Sequence, residues 1–124
     1  MNNNVKHVDW EQVETFLDEI SVISDLYNLN FTGVYGLPRG GLVLAVMISH
    51  RLNIPLLLAP CKNCLIVDDI ADTGISLEHY DIDKNEKQYY ITTMYYHRQS
   101  KVVPDFYVYE KTDNWIEFPW EYSL

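Results

Sequence analysis

The sequence predicts an α/β fold, a single domain whose mostly parallel sheet is flanked by helices. Three observations predict it. Strand-like apolar runs alternate with helix-like runs. Two of the strand-like runs lead directly into glycine-containing turns, as strands of a parallel sheet do at their carboxyl ends. The 124 residues contain no linker or internal repeat, and that length suits one domain covering residues 1–124.

Taken in order, the first element is a helix. Asp9 followed by Gln12 has the capping-box pattern. Trp10, Val13, Leu17, Ile20, Ile23 and Tyr27 then fall near helical spacing. Asp9, Glu11, Glu14, Asp18 and Glu19 lie early or on the other face, where they suit the helix dipole and solvent. Residues 31–35 read as a short strand, and residues 36–41 (Gly-Leu-Pro-Arg-Gly-Gly) as a turn. Residues 42–52 are apolar and helix-like, ending at Asn53-Ile54-Pro55.

Residues 55–58 and 64–67 read as buried strands, residues 68–76 as an acidic glycine-containing turn, and residues 75–80 as a short helix. Residues 84–87 form a polar turn. Residues 88–96 and 105–109 are strands rich in tyrosine and β-branched side chains. Seven of the ten tyrosines lie between Tyr80 and Tyr109, which assigns them to sheet faces and a covered edge.

Charge narrows the function. Nine Lys and Arg against eighteen Asp and Glu give a formal net charge of −9. That argues against a nucleic-acid backbone and against anionic lipid as partners. Phosphates would have to be held by backbone amides, a few basic side chains or a metal ion. Two cysteines make no disulfide framework, the start of the chain is polar, and no apolar run approaches the ~20 residues of a membrane span, so the expected location is the cytoplasm. Cys61 and Cys64 form one CxxC without a second ligand pair, and His7, His50, His79 and His97 have no metal-binding spacing.

The strongest chemical signal is Leu65-Ile66-Val67-Asp68-Asp69-Ile70-Ala71-Asp72-Thr73-Gly74-Ile75-Ser76. A buried strand delivers Asp68 and Asp69 to its end, where two adjacent carboxylates suit a vicinal diol or hydrated Mg²⁺. Asp72, Thr73, Gly74, Ile75 and Ser76 then form a turn at a helix start. Its amides and hydroxyls suit an anion without net positive charge. A ligand with both phosphate and hydroxyls, such as a sugar phosphate, matches both halves. The earlier turn, with Pro38, Arg39, Gly40 and Gly41, offers backbone amides and a guanidinium fork to a diphosphate.

The block from Leu65 to Ser76 resembles the signature of the type I phosphoribosyltransferases: an apolar strand, two acidic residues, two variable ones, then Asp or Ala, Thr, Gly, any residue, and Thr or Ser. The turn at Pro38 to Gly41 is similar to that family's pyrophosphate loop. The tail from Asp113 to Glu121 resembles the purine pocket of the xanthine-guanine phosphoribosyltransferases, with a Trp-Ile pair before Pro-Trp-acidic.

The resemblance implies the type I phosphoribosyltransferase fold, Rossmann-like, with a reduced hood and a short flexible loop. It implies Mg²⁺-dependent transfer of the phosphoribosyl group of 5-phosphoribosyl 1-diphosphate (PRPP) to a guanine-, xanthine- or hypoxanthine-like base. By that likeness Asp68 and Asp69 meet the ribose hydroxyls and the metal, and Asp72 to Ser76 wrap the 5′-phosphate. Arg39 and its loop would hold diphosphate, Asp72 would take the proton from the base, and Trp115, Ile116 and Glu121 would line the base site. A homodimer or higher oligomer is implied too.

The chain departs from the family in two places. The lysine that reads the 6-oxo group after the strand following the PRPP motif is absent, and Tyr96, His97 or Arg98 stand in that region as substitute donors. The loop that closes over the reaction is reduced to residues 59–63. These departures motivate an alternative, a nonenzymatic PRPP- or nucleotide-binding regulatory module on the same fold.

Overall fold

The computed structural model describes residues 5–81 and 88–122. The polar turn expected at residues 84–87 lies outside them. In chain order the elements are β1 (Val5–His7), α1 (Trp10–Leu26), β2 (Val34–Gly36), α2 (Leu42–Leu52), β3 (Cys64–Ala71), α3 (Ile75–Glu78), β4 (Tyr89–Tyr96), β5 (Phe106–Glu110), β6 (Trp115–Glu117) and a 3₁₀ turn (Pro119–Glu121).

The α1 capping box is made. Asp9 Oδ1 accepts from the Gln12 amide at 2.9 Å, and Gln12 Oε1 accepts from the Asp9 amide at 3.4 Å. The buried stripe of α1 is Val13, Phe16, Leu17 and Ile20. Trp10 and Tyr27, expected on that stripe, are exposed at the helix ends. The inward side chains of α1 and α2 pack with Val34, Leu65, Val67, Met94 and Tyr95 into the main core.

Four strands form the central sheet in the order β2-β3-β4-β5, all parallel. The register pairs Gly36 with Val67, Ala71 with Tyr96, and Tyr96 with Glu110, so all four strands end on the same side. On the face away from α1 and α2, Leu77 of α3 packs with Ile66, Ile91 and Val102 under Tyr35, Tyr80, Tyr89 and Tyr96. Tyr35–Tyr80 and Tyr80–Tyr89 ring pairs bind that face together.

Four sequence expectations are corrected. The first strand of the central sheet is Val34–Gly36, not residues 31–35. β3 does not stop at Val67. It continues to Ala71, because Asp68, Ile70 and Ala71 pair with Thr93, Tyr95 and Tyr96 of β4. Long pairing on an inner strand overrides the turn preference of aspartate. Residues 55–58 do not form a strand; a single bridge from Leu56 to Val34 remains, and Leu58 is fully in solvent. The short helix stops at Glu78.

A second sheet had no sequence signal. β1 and β6 pair in parallel, Val5 with Trp115 and His7 with Glu117, tying the two ends of the described chain together. No helix among the described residues is long and apolar enough to cross a membrane.

Candidate active site

The parallel register gathers four loops at one end of the sheet. They are residues 37–41 after β2, 72–74 after β3, 97–105 after β4 and 111–114 after β5. Ligands of open α/β sheets bind at this end.

The loop after β2 is packed onto β3. The Leu37 amide donates to the Val67 carbonyl at 3.0 Å, and the Gly41 amide to the Leu37 carbonyl at 2.8 Å. A side chain at Gly40 would strike the Asp69 carboxylate, and one at Gly41 would strike the Val67 carbonyl. Glycine at 40 therefore lets the backbone lie directly against the acidic pair. The Pro38–Arg39 peptide is cis, and Arg39 is exposed.

The turn after β3 depends on Gly74, whose φ of 83° is left-handed. A Cβ there would also press on Ser100 and Lys101 of the loop after β4. The Lys101 amide donates to the Thr73 carbonyl at 2.8 Å, which braces the turn from that side. Thr73, Ile75 and Ser76 are exposed at its surface.

Asp68 and Asp69 are largely withdrawn from water, and the Asp69 amide donates to Asp68 Oδ1 at 2.9 Å. Burial, reinforced by the Asp69 charge, pushes Asp68 up to about 8. Burial also raises Asp69, with Glu121 adding like charge.

Asp72 is tuned the other way. Its partial burial works to raise it, but hydrogen bonds from Lys111 and Gln99, with the charges of Lys111 and His97, hold it below the ordinary aspartate range. Lys111 Nζ lies 3.0 Å from Oδ2, and Gln99 Nε2 donates to Oδ1 at 3.0 Å.

A groove of about 140 Å³ opens between these elements and the tail. Asp69, Ile70 and Asp72 form one wall, Lys111 the second, and Trp115, Ile116, Phe118 and Glu121 the third. Glu121 is fixed by accepting from the Phe118 amide at 2.9 Å, and the Phe118 ring stacks on Trp120. Trp115 is 68% exposed.

The sequence-derived residues thus divide. Asp72, Trp115, Ile116 and Glu121 share the groove with Asp69. Tyr96 and His97 do not line it. Strand alternation sends Tyr96 to the opposite face, where it packs on Tyr107 with ring centroids 4.8 Å apart. His97 Nδ1 accepts from the Gln99 amide at 3.1 Å. Lys111 and Gln99 belong to no motif, and Phe118 lies inside the tail block without an assigned role. The available signal was register: Ala71, Tyr96 and Glu110 are aligned, so Asp72, His97 and Lys111 follow at successive strand ends.

No family model matches the chain. A xanthine-guanine phosphoribosyltransferase of Chromohalobacter salexigens is 26% identical over 140 residues, covering 94% of this chain and 84% of that protein. Its counterpart in Idiomarina loihiensis is 26% identical over 148 residues, covering 99% and 91%. Among solved structures, a purine phosphoribosyltransferase from Pyrococcus horikoshii superposes with a TM-score of 0.80 at 28% identity, covering 98% of this chain and 97% of that one. A xanthine-guanine-hypoxanthine phosphoribosyltransferase of Helicobacter pylori shares the fold, with a TM-score of 0.73 at 19% identity over 94% and 93%.

Fold and strand-end loops are those of the type I phosphoribosyltransferases, and the curated relatives and the Pyrococcus horikoshii structure to which the chain is similar are enzymes of the pentosyltransferase class. Within that family the similarity is to the purine branch.

Proposed function

We propose that this chain transfers the phosphoribosyl group of PRPP to a ring nitrogen of an oxopurine (guanine, xanthine or hypoxanthine), releasing diphosphate. The observation that supports the reading is the junction at Gly40 and Asp69. It sets the loop after β2 against the acidic strand end, while Asp69 also walls the groove holding Trp115 and Ile116. A diphosphate, a ribose and a flat base would then be held side by side.

In the proposed reaction the base nitrogen bonds to ribose C1′ as the C1′–oxygen bond to diphosphate breaks. The base N–H proton passes to Asp72, whose carboxylate is charged at neutral pH and faces the groove. Backbone amides of residues 38–41 and the Arg39 guanidinium meet the negative charge that builds on the departing diphosphate. Residues 72–76 hold the 5′-phosphate, and Trp115 stacks on the base.

The residues present fit Mg²⁺. Asp68 and Asp69 are adjacent hard oxygen donors whose raised affinity for protons marks an uncompensated negative site. Among the described residues no third His, Cys, Asp or Glu joins them. That suits an ion held by one or two carboxylates together with substrate oxygens. When bound, it would neutralise diphosphate charge.

Mixing the protein with Mg²⁺, PRPP and a panel of bases tests the reading, with nucleotide and diphosphate as the readout. Oxopurine nucleotides are expected. Binding of PRPP without product from any purine or pyrimidine would favour the regulatory-module alternative, which the short connection over residues 53–63 motivates.

A further inference from the structure

Lys111 has an unusual setting for a lysine on the surface of an acidic protein. It is the first residue after β5, and its amide donates to the Tyr96 carbonyl at 2.9 Å, which fixes where the side chain starts. The side chain is only 13% exposed. It crosses the end of β4 to reach Asp72, and it lies in the groove opposite Trp115 and Ile116. Among the described residues, Asp72 is the one partner of its ammonium.

An ammonium carries three N–H donors and no acceptor. One is directed to Asp72, which leaves donors for whatever enters the groove. A ring carbonyl can accept from them. An exocyclic amino group at the same place would set N–H against N–H and leave the remaining ammonium donors without an acceptor.

We propose that Lys111 is the residue that selects the base, donating from its Asp72-anchored ammonium to the 6-oxo group and so rejecting 6-aminopurines such as adenine. This rests on the phosphoribosyltransferase reading of the same site. It places the selecting cation after β5, next to the proton acceptor, not directly at the end of β4, where Tyr96, His97 and Arg98 stand. The same contact orients the base, since an oxygen held by Lys111 lies beside the carboxylate that receives the ring proton.

The test compares inosine and adenosine monophosphates, whose bases differ in the group at position 6 and in the proton on the neighbouring ring nitrogen. Calorimetric binding is measured for wild type, Lys111→Met and Lys111→Arg, alongside turnover of hypoxanthine and adenine with PRPP. Wild type should favour inosine monophosphate by about tenfold or more, the value of one hydrogen bond to a charged group. Lys111→Met should bring the ratio to within about twofold, with the loss falling on the inosine nucleotide, and Lys111→Arg should recover part of it. Melting curves confirm that each variant is folded, and Lys111→Gln replaces Lys111→Met if the latter is not. A ratio that survives both neutral substitutions, or a wild type that does not discriminate, overturns the proposal. If wild type forms oxopurine nucleotides while the ratio survives, the selection by Lys111 fails and the enzymatic reading stands. If wild type binds neither nucleotide and makes no product, both fail.

Discussion

Lys111 and Asp72 are 39 residues apart in sequence, yet Nζ and Oδ2 meet at 3.0 Å across the end of β4. The pair exists because three parallel strands end in register, so the first residues beyond β3 and β5 project into one groove. It joins the proposed proton acceptor to the wall of the base site.

The pair sets a pH dependence. The folded pKa of Asp72 lies below its unfolded value, so the pair stabilises the protein above the ordinary aspartate pKa of about 3.9. That contribution is lost as pH falls through the folded value. Because Asp72 is 35% exposed, the contribution is under about 1 kcal/mol. Melting temperatures of wild type and Lys111→Met should differ by a few degrees at pH 7 and converge in acid. The acid limb of kcat/KM should move upward in the variant. A gap in melting temperature that is constant from neutral to acid pH would show that the charge pair is not its source.

Asp72→Asn keeps the shape of the turn and removes the acceptor. A positioned general base contributes about 10²–10⁴-fold, so kcat should fall by that order while the KM for PRPP stays within about twofold. Steady-state kinetics with PRPP varied at saturating base measures the split. An unchanged kcat would remove Asp72 from the proton transfer.

Gly40→Ala puts a methyl group into the Asp69 carboxylate. Either the loop after β2 lifts from the strand end or Asp69 turns away. PRPP affinity should drop by about tenfold or more, as expected when polar contacts are misplaced. The fold should survive, since the core lies elsewhere. Titration calorimetry with PRPP and Mg²⁺ reports this, and full affinity in the variant would refute the proposed junction.

Trp115→Ala removes an exposed ring, and folding stability should change little. Loss of base stacking, about 1–3 kcal/mol, should raise the KM for the base by roughly tenfold or more and leave that for PRPP nearly constant. Equal changes in both constants would show that Trp115 is not a stacking platform.

The legible parts of the fold are those set by local chemistry. α2 runs over the expected residues because Gly41 precedes it and Asn53, at a φ of 53°, ends it with its left-handed conformation. The α1 cap is equally local. β3 was read short because Asp68 and Asp69 resemble turn residues, and only pairing to Thr93 and beyond keeps them extended. β1 and β6 are three residues each, and they meet across almost the whole chain.

The site divides along the same line. Asp68, Asp69, Asp72 and Gly74 lie in one short run of sequence, and each glycine turn carries a recognisable order. Lys111 has no neighbouring motif, and its position depends on three strands ending together. Tyr96 lies near the base site in sequence, but it follows Tyr95 of the main core and faces the other side of the sheet.

Group transfer from PRPP to a base is tested most directly by ³¹P NMR of protein, Mg²⁺, PRPP and guanine, which follows every phosphorus in one tube. The PRPP resonances should give way to free diphosphate and one phosphate monoester, the nucleotide, in equal amounts and only when base is present. PRPP that persists unchanged, or that breaks down to diphosphate and ribose 5-phosphate at the same rate without base, would contradict it.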